Sequence, residues 1–132
     1  MPTLIDTSVW IAYVRPKAPE ELIKKIDSLI DRDEAFTCPI IILELLSGAR
    51  DKNEYKQLEE KFSVLPNAPI TDEVWKYAWS LSFSLKSKGI TIPLTDIIIA
   101  SVALVHDYPL LHKDNHFEAI KDIAPLKTIF FS

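Results

Sequence analysis

Leu4-Ile5-Asp6-Thr7-Ser8-Val9-Trp10, LIDTSVW, decides how the chain is to be read. Thr3-Leu4-Ile5 has the run of apolar side chains expected of a short buried strand, and Ser8 to Val14 reads as a helix packed behind it. Asp6 then stands at the strand's carboxyl end. Working outward, Glu20 to Asp31 places Leu22, Ile23, Ile26, Leu29 and Ile30 at helical spacing, with a solvated Glu/Lys/Asp face opposite. Ala35-Phe36-Thr37 predicts a second strand, and Pro39 suits the first turn of a helix that Gly48 stops. Asp51 to Lys61 predicts a surface helix and Phe62 to Leu65 a third strand. Thr71 caps a long helix to Lys88, closed by Gly89. Asp96 to His106 is apolar almost all round, so that helix belongs at the centre. Pro109-Leu110-Leu111, Asn115 to Lys121 and Lys127 to Phe131 complete the alternation as strand, helix and strand. That order predicts an α/β fold: a three-layer α/β/α sandwich around a mainly parallel sheet of about five strands.

With 132 residues, 48% of them hydrophobic, the chain can bury one core, and a single domain over residues 1–132 is expected. The apolar runs at 39 to 46 and 97 to 105 fall short of the roughly 20 residues that span a bilayer. No basic segment followed by a long apolar one opens the chain, and the lone Cys38 has no partner for an internal disulfide. A reducing cytoplasm is the expected compartment. The net charge of −4, from 19 acidic and 15 basic residues, argues against holding nucleic acid by bulk positive charge. Any such partner must be gripped locally.

Position gives the acids their meaning, because ligands of open parallel sheets bind outside the carboxyl ends of the strands. Asp6 follows the first strand, Asp114 follows the strand at 109 to 111, and Asp96 opens a helix whose amino end belongs on the same edge. Glu44, in the second turn of the helix after strand two, leans toward that edge too. Each aspartate has a cheaper explanation: Asp6 and Asp114 as helix caps, Asp96 as a first-turn acid behind a Thr95 cap. Glu44 has none, since it lies mid-helix among Ile40 to Leu46, where an unpaired carboxylate is costly. It calls for a cation or water. Gathered carboxylates also raise one another's pKa unless a positive partner joins them, and Arg50, Lys52 and Lys113 are the few bases nearby. No Cys/His grouping has zinc spacing. An oxygen-rich set suits Mg²⁺ or Mn²⁺, and the chemistry natural to such a site is metal-assisted phosphodiester hydrolysis. There is no phosphate-cradling glycine loop, so kinase and dehydrogenase readings fall. His106 is expected to end its helix with a favourable charge interaction, whereas His112 and His116 flank Asp114 within reach of the acids.

LIDTSVWIAY, IIILELLSGAR, IPLTDIIIASVAL and LLHKDNHFEAI, in that order and at that spacing, resemble the four acid-bearing segments of the PIN-domain ribonucleases. The likeness is to the VapC-type toxins of bacterial and archaeal toxin–antitoxin pairs in particular. It spans nearly the whole chain. Carried over residue by residue, it implies that Asp6, Glu44, Asp96 and Asp114 form the catalytic, metal-binding cluster for Mg²⁺ or Mn²⁺, with Thr7 or Ser8 as supporting hydroxyls. It further implies endonucleolytic cleavage of RNA, a homodimer and inhibition by a small antitoxin. One position departs: His112 stands where the family commonly has Thr or Ser.

The remaining expectations follow from these. Thr7 and Ser8 are expected to relieve Asp6 of the capping, leaving its oxygens for metal. Arg15, Arg50, Lys52 and Lys113 are candidates for holding RNA, each with a solvated surface charge as the plainer alternative. Trp75, Trp79 and Phe83, at i, i+4 and i+8, form a second stripe on their helix and suggest a dimer or antitoxin surface. The rival function is a non-catalytic domain of the same fold that binds RNA or protein, against which the four clustered acids speak, since they would repel phosphate. A phosphoryl-accepting switch also uses an Asp after strand one, but the usual additional acid near it is missing, with Thr7 and Ser8 as neighbours.

Overall fold

The computed structural model describes residues 1–131. The elements run β1 (Thr3–Ile5), α1 (Thr7–Val14), α2 (Glu20–Asp31), β2 (Ala35–Phe36), α3 (Pro39–Ser47), α4 (Lys52–Phe62), α5 (Asp72–Ser87), α6 (Leu94–His106), β3 (Leu110–His112), α7 (Asn115–Ile120) and β4 (Thr128–Phe130). The sheet has the order β2-β1-β3-β4, and every pairing is parallel. The step from β1 to β2 runs one way across the sheet, and the steps from β2 to β3 and β3 to β4 run the other. Right-handed crossovers therefore put α1 and α2 on one face and α6 and α7 on the other, giving the expected three layers.

Among the described residues the sheet has four strands, not five. The apolar run Phe62-Ser63-Val64-Leu65 is not a strand: Phe62 ends α4, buried edge-on against Trp10 at 5.0 Å, and Val64 is 79% exposed. Phe62 extends the helical spacing of Leu58, and a strand would have required alternate burial that Val64 breaks. Only an isolated parallel bridge between Thr37 and Asn67 lies beyond β2.

Burial explains the rest. Leu4, Ile5, Leu110 and Leu111 of the central strands are fully covered, as a parallel sheet with helices on both faces requires. α6 is central as expected, with Ile97, Ile99, Ala100, Val102 and Ala103 buried, and the hidden Ser101 hydroxyl donates to the Ile97 carbonyl at 2.7 Å. Thr71 caps α5 through the Val74 amide at 3.2 Å, and Gly89 ends it with φ +73, where a side chain would be strained. Gly48 stops α3 without a left-handed turn. His106 closes α6 by a 2.8 Å contact to the Pro69 carbonyl. Among the described residues no helix is long and apolar enough to cross a membrane.

Candidate active site

β1 and β3 lie side by side, yet the chain leaves β1 toward β2 and leaves β3 toward β4. This is the switch point at which open α/β sheets form a crevice beyond their carboxyl ends. Asp6 leaves β1 and Asp114 follows β3 on this edge. The two loops are stitched together: the Asp6 amide donates to the Leu111 carbonyl at 2.9 Å, and the Lys113 amide donates to Ser8 Oγ at 3.2 Å.

Asp6 is 4% exposed and is the N-cap of α1. Its Oδ2 accepts from the Ser8 amide at 3.1 Å and the Ser8 hydroxyl at 2.5 Å. The expected division of labour is therefore corrected: Ser8 does not spare Asp6 the cap but is held by it, because the second residue after the cap is one whose amide faces the capping oxygen. Burial raises the Asp6 pKa, the Ser8 bonds oppose this, and the Glu44 charge adds to it. Thr7 serves the other acid, donating from Oγ1 to Glu44 Oε1 at 2.7 Å. Glu44 is half-buried, and its second oxygen remains free of protein donors among the described residues.

Asp96 sits in the first turn of α6, 9% exposed. The cap there is Pro93 rather than Thr95, which lies inside the helix. Burial first, and the Asp6 and Asp114 charges after it, push Asp96 up to about 6 against the lowering influence of a hydrogen bond from His116. Asp114 is the N-cap of α7, and its Oδ1 accepts from the His116 amide at 2.9 Å. The His116 ring turns back onto both acids, with Nδ1 2.9 Å from Asp96 Oδ2 and 3.1 Å from Asp114 Oδ1. Its bond to Asp96, foremost, raises the imidazole pKa.

One potential ligand atom each from Asp96, Asp114 and His116 lies within 4.8 Å of the others, the spread expected of a set closing on one ion. Asp6 and Glu44 stand outside that trio, coupled to it by charge: Asp6 raises Asp96, and Glu44 raises Asp6. Among the described residues no lysine or arginine pairs with any of these acids. Oxygen donors with one imidazole, crowded and without a paired lysine or arginine among the described residues, fit a divalent cation. The candidate donors that converge are thus not oxygen-only. His116 is the residue that sequence reasoning left at the margin, and the spacing Asp114-Asn115-His116 was its signal.

His112, the departure from the family pattern, does not face the acids. It is fully buried, and its Nδ1 accepts the Asp114 amide at 3.1 Å. The proton must then reside on Nε2, which donates to Glu118 Oε2 at 2.8 Å. Phe117 and Phe130 pack edge-on against the ring at 5.2 and 5.1 Å. His112 is therefore a post beneath the loop that carries Asp114.

Beside Glu44 opens a groove of about 760 Å³ between α1, α3 and α4, with an apolar floor that includes Ile11, Val14, Leu45 and Leu58. Arg15, Arg50 and Lys61 line it. Arg50 is tied to Glu54 at 2.9 Å, Lys52 does not reach the groove, and Lys113 lies over the Phe131 ring at 5.3 Å. Lys61 was not foreseen, because its place depends on how α4 packs against α1. On α5, Trp75, Trp79 and Phe83 are 39%, 66% and 75% exposed, opposite the buried Val74, Ala78, Leu81 and Leu85.

Known proteins are similar in sequence and fold. The PIN-domain family profile matches residues 3–123. A VapC ribonuclease of Mycobacterium bovis is 30% identical, over 97% of this chain and 98% of its own. The crystal structure of VapBC2 from Rickettsia felis bound to a DNA fragment from their promoter superposes with a TM-score of 0.83 at 21% identity, covering all of both chains. VapBC-5 from Mycobacterium tuberculosis, a member of the VapBC family of toxin–antitoxin systems, gives 0.70 at 20% identity over 98% of each chain. The two structures speak to the fold alone. The length of the family match and the identity to the mycobacterial relative go further: this chain belongs to the PIN-domain family, among the VapC ribonucleases.

Proposed function

We propose that the chain is a divalent-metal-dependent endoribonuclease and the toxin of a toxin–antitoxin pair. It works as one domain over residues 1–132, in the cytoplasm. The observation that carries this reading is the meeting of Asp96, Asp114 and His116 around one point at the switch edge, with Asp6 and Glu44 beside it and no lysine or arginine paired with them among the described residues. Asp96 and Asp114, with Asp6 beside them, would hold Mg²⁺ or Mn²⁺. When bound, the cation supplies positive charge opposite the scissile phosphate and acidifies water. Asp96, pushed up to about 6, is largely ionised at neutral pH and so can serve as an anionic ligand. Glu44, fixed by Thr7 through one oxygen, orients the attacking water with the other. Arg15, Arg50 and Lys61 offer the RNA backbone its local cations along the groove. The exposed aromatic stripe of α5 is assigned to a homodimer, and a small antitoxin is the partner that the VapBC relatives suggest.

Total RNA incubated with the purified chain and Mg²⁺ is expected to yield discrete cleavage products. Those products should disappear in excess EDTA and with Asp96→Asn, and expression in cells should arrest growth only with the wild type. Cleavage persisting in EDTA overturns the metal mechanism.

A further inference from the structure

We propose that His116 is a direct nitrogen ligand of the metal and tilts the site toward Mn²⁺ over Mg²⁺. The inference rests on the metal-dependent nuclease reading and specifies the cation it takes.

Adjacent ligands of an octahedral ion, each about 2.1 Å from it, stand about 3.0 Å apart. His116 Nδ1 lies 2.9 Å from Asp96 Oδ2 and 3.1 Å from Asp114 Oδ1. Two edges of an octahedron, meeting at Nδ1, are therefore already laid out in protein atoms from two separate elements. The local chain reinforces this. Asp114 Oδ1 accepts the His116 amide at 2.9 Å, so the carboxylate and the ring two residues on are locked into one chelating turn. Asp96, arriving on α6 from 20 residues earlier in the chain, supplies the second edge.

The nitrogen has a consequence for selectivity. Mg²⁺ keeps its waters and strongly prefers oxygen, whereas Mn²⁺ takes the same carboxylates and, as a transition cation, accepts an imidazole nitrogen more readily. A carboxylate-only site of the same charge would discriminate less. His116 is 44% exposed, so replacing it leaves the core untouched.

The test is pulsed electron paramagnetic resonance of the full chain with Mn²⁺, on the wild type and His116→Ala, with calorimetric titrations of Mn²⁺ and Mg²⁺ on both. The expected result is a ¹⁴N coupling in the wild type that vanishes in His116→Ala. The preference for Mn²⁺ over Mg²⁺ should fall about tenfold or more in the variant, with unchanged circular dichroism. Bound Mn²⁺ with no nitrogen coupling and an unaltered preference overturns the proposal and leaves the nuclease reading standing, because His116 would then only hydrogen-bond the carboxylates. Failure of the wild type to bind Mn²⁺ overturns both.

Discussion

Asp6 leaves β1 and Asp114 leaves β3, neighbouring parallel strands, and each caps the helix that follows by accepting an amide two residues ahead, from Ser8 at 3.1 Å and from His116 at 2.9 Å. The two junctions part company after that. At Asp6 the residue donating the amide also sends its hydroxyl back to the acid and receives the Lys113 amide, and the carboxylate is 4% exposed. At Asp114 the donating residue sends an imidazole across to Asp96, and the carboxylate side chain is 34% exposed. One junction is closed over its acid; the other opens toward solvent. The comparison dissolves the choice between helix cap and metal ligand. A cap occupies one direction at one oxygen, and by doing so it aims the remaining lone pairs.

Removing the charge while keeping the cap separates the two roles of each acid. Asn caps as well as Asp, so Asp6→Asn and Asp114→Asn should each fold normally. Each should nevertheless lose more than about 100-fold in RNA cleavage, beyond what displacing a supporting residue costs. Steady-state cleavage assays and circular dichroism check the pair. Wild-type cleavage by Asp114→Asn would show that the open junction is only a cap.

Titrating the ligand-free protein sharpens the same contrast. Asp96 is raised to about 6, so the folded state binds more protons than the unfolded chain above about pH 4, and stability must fall as pH rises through the folded value. Asp6 is raised and acts in the same direction. His116 is raised as well, so its contribution is present at low pH and is lost as pH climbs through its folded value. Urea unfolding in EDTA should therefore show stability declining from about pH 4 to pH 7, by at most about 3 kcal/mol from the Asp96 shift. Asp6→Asn removes one of the charges that raise Asp96 and should flatten the slope. A wild-type stability that rises over this range would contradict the crowding of the acids.

His112 tests the support of the open junction. His112→Leu strands the Asp114 amide and Glu118, at a cost of about 1 to 3 kcal/mol in urea unfolding, and should weaken Mn²⁺ binding about tenfold. His112→Asn can offer its oxygen near the place of Nδ1 and should restore most of the binding while losing the Glu118 contact. Equal loss in both variants would mean that the ring is packing and not a post.

What the sequence made legible was whatever depends on neighbours along the chain. The alternation of apolar strands with periodic helices located β1, β2, β3, β4 and every long helix, and the order of strand ends put Asp6, Glu44, Asp96 and Asp114 on one edge. Phe62 to Leu65 was misread because four apolar residues after a helix fit its last turn as well as a strand, and only the outward Val64 decides. The inward turn of His116 was out of reach because it depends on Asp96, delivered by another helix. The groove with Lys61 needed the packing of α1, α3 and α4, which no local pattern encodes.

Ser8 gives the smallest effect and the most specific one. Its hydroxyl makes two bonds that join the junctions, donating to Asp6 Oδ2 at 2.5 Å and accepting the Lys113 amide at 3.2 Å. Ser8→Ala keeps the backbone cap on Asp6 and removes both. The loss should be about 1 kcal/mol in urea unfolding, the usual net worth of such bonds, because the loop at Lys113 is only partly buried and water can replace the hydroxyl. The variant's informative readout is hydrogen exchange. The Lys113 amide should lose protection while the Asp6 amide, bonded to the Leu111 carbonyl within the sheet, keeps its own. If both amides loosen together, the closed junction depends on the open one, and the asymmetry between them is smaller than the geometry implies.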